Sequence, residues 1–184
     1  GKELNQLANE AQKYKSAEEF VDSFGIERGA RGGMDVSSGE AGRGVYAYVK
    51  NPQMQKYYTQ EGETLLSIKP KEGAKIVDLT KELDNLVAFA KKDVHEFAQA
   101  RKGEFYVEPK VNKQNIQRFP QQIQTYLKNN YPDASAYIVP HSGYNLPTGK
   151  QVIITKPENF YSIPKSQLTD FYNQVVGEKP EIAK

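Results

Sequence analysis

Tyr46 closes the run Gly42-Arg43-Gly44-Val45-Tyr46, and Tyr57-Tyr58 ends the next helical stretch. Glycines let backbone come close to a ligand, and two aromatic faces can sandwich a flat, positively charged ring. Tyr46 and Tyr57 are therefore candidates for a ligand-facing pair; core aromatics are the competing reading of the same spacing. Arg28, Arg31 and Arg43 stand among glycines, where guanidinium groups and backbone amides together can hold phosphate. RNA presents the same chemistry. Glu27 and Glu40 flank this glycine-rich segment and are the acids able to reach it. Asp133 reads as a turn residue, and Glu158 follows the strand that Gln151 begins. Two histidines, His95 and His141, and no cysteine leave no supportable metal site. Ser142 beside His141 is too close for a relay, and no nucleophile elbow is present.

The elements that must position these groups are short. Leu4, Leu7, Ala8, Ala11 and Tyr14 recur at helical spacing, and Ser16-Ala17-Glu18-Glu19 reads as a capping box for a second helix that stops at Gly25. A short strand is expected near Ile26, then loop from Arg28 to Gly44 and a strand over Val45–Val49. Asn51-Pro52 is an N-cap and first helical position for a helix bearing Met54, Tyr57 and Tyr58. Strands follow near Thr64–Ile68 and Lys75–Leu79. The clearest amphipathic helix carries Leu83, Leu86, Val87, Ala90, Val94, Phe97 and Ala98. A strand over Phe105–Val107, a helix opened by Pro120, and strands over Ala136–Val139 and Gln151–Thr155 complete the series. Ser166 is expected to cap a last helix with Leu168, Phe171, Tyr172 and Val175, before a charged, frayed tail. Short strands broken by helices point to an α+β fold.

Bulk properties set the limits. The chain has 184 residues, a hydrophobic fraction of 38%, twelve Tyr and eight Phe, enough for one domain with a real core. Twenty-five basic and 23 acidic residues, spread along the length, give a net charge of +2, so no dense cationic block demands nucleic acid. No run of about 18 apolar residues suggests a membrane span, and no signal peptide is visible. Absence of cysteine fits a reducing, cytoplasmic setting. The opening Gly1 suggests a piece of a longer protein.

Three segments carry a resemblance. Gly42-Arg43-Gly44-Val45-Tyr46, with Tyr57 on the following helix, resembles the second motif of the ADP-ribosyltransferase superfamily in its poly-ADP-ribose-polymerase-like, diphtheria-toxin-like branch. Tyr131-Pro132-Asp133-Ala134-Ser135-Ala136-Tyr137-Ile138 and Gly149-Lys150-Gln151-Val152-Ile153-Ile154, with Pro157 and Phe160, resemble the end of that fold. Ile26-Glu27-Arg28-Gly29 is similar to its first-strand motif. The resemblance spans Ile26 to Ile163. It implies split mixed and antiparallel sheets with flanking helices: an N-terminal helical segment over 1–25, a core over 26–163, and a C-terminal helix and tail over 164–184.

It also implies NAD as co-substrate and transfer of ADP-ribose to a protein or nucleic-acid acceptor, without metal or membrane. Arg28 and Gly29 would hold the ribose and phosphates, Gly44, Tyr46 and Tyr57 the nicotinamide, and Gln151 stands where the family has its catalytic Glu. The pattern is a mosaic, since Arg28 belongs to the arginine-first branch. The stretch from Arg28 to Tyr46 leaves little room for the usual intervening strand and loop. An amide at Gln151 still accepts a hydrogen bond from a ribose hydroxyl but carries no charge. A unit charge about 4 Å from an oxocarbenium-like transition state, at an effective dielectric of ~20, is worth roughly 4 kcal/mol, or about three orders of magnitude in rate. A catalytically inactive binding module of the same fold is therefore the alternative. The terminal segments weakly resemble joints in phage-encoded polyvalent proteins, which would place the acceptor in a host cytosol.

Overall fold

The computed structural model describes residues 1–60, 62–101, 103–141 and 147–177. In chain order the elements are α1 (Lys2–Ala11), α2 (Ala17–Asp22), β1 (Ile26–Gly29), β2 (Ser37–Gly39), β3 (Gly42–Val49), α3 (Pro52–Gln60) and β4 (Leu65–Pro70). They continue with β5 (Ile76–Asp78), α4 (Leu83–Ala100), α5 (Pro120–Asn130), β6 (Ala136–His141), β7 (Gly149–Ile154), β8 (Phe160–Pro164) and α6 (Leu168–Tyr172). The class is α+β, with parallel and antiparallel pairing both present. The chain divides into two compact units, one drawn from Gly1–Met34, Ala47–Ala74 and Glu158–Lys184, the other from Asp35–Tyr46 and Lys75–Pro157.

The first unit is built on antiparallel strands. β1 pairs on one side with the end of β3, Ile26 opposite Val49, and on the other with β4, Ile26 opposite Ile68. β8 adds to the far side of β4, with Ser67 opposite Ile163. Local chemistry fixes the helices around them. Ser16 Oγ accepts from the Glu19 amide at 3.1 Å, and the Glu19 carboxylate accepts from the Lys15 amide at 3.1 Å. This satisfies two amides at the start of α2. Asn51 Oδ1 accepts from the Met54 amide at 2.8 Å and starts α3. Leu7 and Ala11 of α1, Phe20 and Phe24, Ile163, and Leu168 and Tyr172 of α6 bury together as one core. Lys69 of β4 enters this region as a buried cation. Its ammonium donates to Glu10 at 2.7 Å and to Ser23 at 3.0 Å, and lies 4.5 Å from the Tyr14 ring centre.

The second unit joins β5 to β6 in parallel, Ile76 opposite Ala136, and β6 to β7 antiparallel, Ala136 opposite Ile154. β7 neighbours β3, whose first residues form a hairpin with β2, Gly39 opposite Gly42. A parallel pair needs a long crossover, and α4 and α5 supply it. Leu86, Val87, Ala90 and Val94 of α4 and Ile123, Tyr126 and Leu127 of α5 pack with Val77, Tyr137, Val139 and Ile153.

Several expectations are corrected. Phe105–Val107 is not a strand: Phe105 is fully exposed and Val107 is 79% exposed, so β-propensity there finds no neighbouring strand to pair with. Ser166 does not cap the last helix. It lies inside a 3-10 turn over Lys165–Gln167, and Gln167 precedes α6 without a side-chain cap. The segment read as loop up to Gly44 contains β2 and the start of β3, because a glycine-rich hairpin hides its strand signal. β8 was not anticipated. The C-terminal tail beyond Gly177 lies outside the described residues.

Candidate functional site

In the first unit, β1 carries Arg28 and Gly29 and places Glu27 beside them with only 1% of its surface exposed. A carboxylate so buried must be paired. Lys165 donates to it at 2.8 Å, Gln55 of α3 at 3.0 Å and 3.2 Å, and Tyr48, its cross-strand neighbour on β3, at 3.2 Å. Burial, followed by the Glu27 charge, pushes the Tyr48 phenol far up, so it remains a donor.

Tyr58 stacks on Tyr48, with ring centres 5.2 Å apart and planes 6° from parallel. A third ring between two others needs about 7 Å, twice a carbon–carbon contact. Tyr57 meets Tyr58 edge-on at 5.2 Å and 88°. Burial raises the Tyr58 pKa, Tyr57 and Glu63 add to the rise, and the Arg28 charge works the other way. Arg28 is thus within electrostatic reach of this tyrosine cluster. At Gly29 the Glu63 carboxylate, the movable end of a flexible side chain, occupies the space a Cβ would take. Glu63 in turn lies 3.9 Å from exposed Arg31.

A cavity of about 610 Å³ opens in the same unit, lined among others by Pro52, Gln55, Lys56, Leu65, Lys165 and Ser166. Gln55 and Lys165 are therefore shared: each holds the buried Glu27 and each lines the cavity. Arg28, Gly29 and Tyr57 are not among the lining residues.

In the second unit, the Tyr46 hydroxyl is committed to its own hairpin. It donates to the Gly42 carbonyl and accepts from the Ala41 amide at 3.1 Å. Burial raises its pKa. Each nearby glycine has a packing reason. A Cβ on Gly39 would lie 2.6 Å from the Tyr46 ring. One on Gly44 would lie 2.7 Å from both the Ile153 side chain and the Ile154 carbonyl oxygen. Gly42 has φ +119°, the left-handed region that favours glycine. Gln151 sits half-buried on β7 opposite Val139. The His141 ring donates through Nδ1 to the Pro147 carbonyl at 2.7 Å, which fixes the proton on that nitrogen because a carbonyl only accepts.

The expected site residues thus gather in two sets. Arg28 and Gly29 on β1 and Tyr57 on α3 belong to the first unit, and Gly44, Tyr46 and Gln151 to the second. The pairing that places Tyr58 against Tyr48 was missed, although Tyr48 lies two residues from Tyr46 and so on the same strand face. The Glu27–Lys165 pair was missed because its members are far apart in sequence. Exposed Arg43 forms no part of either cluster, His95 is exposed and meets Glu108 at 3.0 Å, and Glu40 lies 3.6 Å from Arg118. Among the described residues no group of three His, Cys, Asp or Glu is arranged to hold a metal ion, and no helix is long and apolar enough to cross a membrane. No protein-family model, curated protein or solved structure matches this chain.

Proposed function

We propose that this chain is an NAD-binding, ADP-ribosyltransferase-like protein that transfers ADP-ribose from NAD to a protein or nucleic-acid acceptor. One observation supports the reading above the rest. Within the second unit, β7 with Gln151 neighbours β3 with Gly44 and Tyr46, and the first unit holds Arg28 and Gly29 on β1 together with Tyr57 on α3. The donor set also suits the co-substrate. Arg28 offers a cation for ribose and pyrophosphate, the tyrosines offer aromatic faces for a pyridinium, and Gln151 offers an amide oxygen to a ribose hydroxyl.

A second reading, a binding module of the same fold without turnover, is favoured by two particular residues. Gln151 brings no charge to stabilise a cationic transition state. The Glu63 carboxylate, seated over Gly29, places a negative charge where the resemblance would bring an anionic dinucleotide.

Thermal-shift titration with NAD tests the shared premise. A saturable rise in Tm is expected, and no response at millimolar NAD would discard NAD binding. Nicotinamide release by wild type and Gln151→Glu then separates the two readings. Transfer chemistry predicts slow release that rises in the Glu variant by up to about three orders of magnitude. Two inert proteins that still bind NAD would leave the binding module standing.

A further inference from the structure

The first unit's cavity has a chemistry that the NAD reading does not use. At about 610 Å³ it falls in the range of small-molecule sites. Its apolar walls come from Pro52, Leu65 and the alkyl stems of Lys56 and Lys165. Its polar lining residues are Lys56 and Lys165, the acid Glu63, Gln55, and the hydroxyl-bearing Thr59, Thr64 and Ser166. Charge balance decides what fits. The Lys165 ammonium gives one hydrogen to Glu27 at 2.8 Å and has two more to donate, and Lys165 lines the cavity. Glu27 is already satisfied by Tyr48, Gln55 and Lys165. Glu63, the acid in the lining, lies 3.9 Å from Arg31. Lys56 makes no ion pair with the described residues. The surplus in the cavity is therefore positive.

We propose that this cavity binds a small organic anion with an apolar body, its acidic head between Lys56 and Lys165 and its body against Pro52 and Leu65. A cationic ligand would meet two ammonium groups. A purely apolar one would cover the spare Lys165 donors without replacing their water, at the cost of unmet hydrogen bonds. An anion satisfies both conditions. Lys165 is tied to the buried Glu27, so the head group meets a donor whose position is set before binding, which lowers the entropy lost on association.

The test uses the whole chain and 1-anilinonaphthalene-8-sulfonate, an apolar body with an anionic head. Its fluorescence should rise saturably with one site per chain. Octanoate should displace it, with octylamine and octanol at least about tenfold weaker competitors. Lys56→Glu should weaken dye and octanoate about tenfold. Thr59→Trp, at an exposed helical position that lines the cavity, should abolish binding by filling it. Both positions are exposed, so unchanged Tm values are expected to show that the fold is retained; Lys165→Met, which strands Glu27, is avoided for that reason. Equal displacement by octanoate and octylamine would overturn the proposal. So would variants that bind the dye as wild type does, which would place it on the exposed apolar segment around Phe105 and Val107. Tyr57→Ala, outside the lining, should leave octanoate binding intact whatever it does to NAD. The two readings therefore fail separately.

Discussion

The two units are stabilised in different ways. The first takes charges into its interior: Glu27 and Lys69 are 1% and 6% exposed, and each is surrounded by fitted partners. The second buries no charged residue among those described. Its interior is aliphatic and aromatic, and its tyrosine hydroxyls reach backbone or a single acid at the margin, as Tyr126 and Tyr131 do on Glu82 at 2.5 Å and 2.7 Å. The difference teaches where specificity lies. An aliphatic core tolerates repacking if volume is kept, whereas a buried ion holds its neighbours to one arrangement, because any other leaves it unpaired. The cavity and the Arg28–tyrosine cluster both lie in the unit that carries the charges.

The sharpest way to break this contrast is to strand one buried charge. Glu10→Leu removes the carboxylate from Lys69 and should cost about 4 kcal/mol in urea unfolding. Glu10→Leu with Lys69→Met should recover most of the loss, since an apolar pair of similar volume is often neutral. A single variant no less stable than the double would show that Lys69 finds water instead. The same pair predicts a pH effect. Burial raises the Glu10 pKa, but the hydrogen bonds from Lys69 and Lys13 outweigh it and leave the group below its ordinary value of 4.5. A depressed carboxylate stabilises the fold above its unfolded pKa and loses that contribution as pH falls through the folded value. Wild type should therefore lose stability below about pH 4.5 more steeply than the double variant. In the second unit the next largest effect is a cavity. Leu86→Ala, at a fully buried position, should cost about 3 kcal/mol with no change in pH dependence.

How far the sequence revealed this follows the same division. The second unit was readable because its stability is periodic. Leu86, Val87, Ala90 and Val94 repeat at helical spacing, and Ile123, Tyr126 and Leu127 mark the face of α5. The capping box at Ser16 and the Asn51 cap were readable because both are local. The first unit's site was not. Glu27 meets Lys165 across most of the chain, and Lys69 meets Glu10 and Ser23 through a fold that no local pattern encodes. The glycines carry a second explanation. Gly42 and Gly44 read in the sequence as room for a ligand, and a Cβ would meet Tyr137 and Gln124 at one and Ile153 with Ile154 at the other. A glycine reports that something comes close, not what it is.

Two smaller perturbations sharpen the comparison within the second unit. Gly44→Ala should cost about 2 kcal/mol, because one of the two atoms in the way is a β7 carbonyl that cannot rotate aside. Hydrogen exchange should increase first at β3 and β7. If the variant is as stable as wild type, the close approach is not a constraint and the glycine is open to a ligand-based explanation.

Tyr137→Phe is the mildest change. Its buried hydroxyl donates to the Ala41 carbonyl at 2.6 Å, beside the hairpin whose turn Tyr46 closes. Removing it deletes one hydrogen bond and leaves the carbonyl without that donor, a loss of about 1 kcal/mol, while the ring keeps its packing. Burial, with electrostatic coupling to Tyr46 adding to it, pushes the Tyr137 phenol up, so it stays protonated and donating across the working range. The loss should therefore be independent of pH from 5 to 9 (roughly the span in which an ordinary phenol stays neutral), unlike the acid-dependent loss expected around Glu10. A Tyr137→Phe penalty that grew with acid would mean the second unit also depends on a titrating group, and the contrast between the two units would fail at that point.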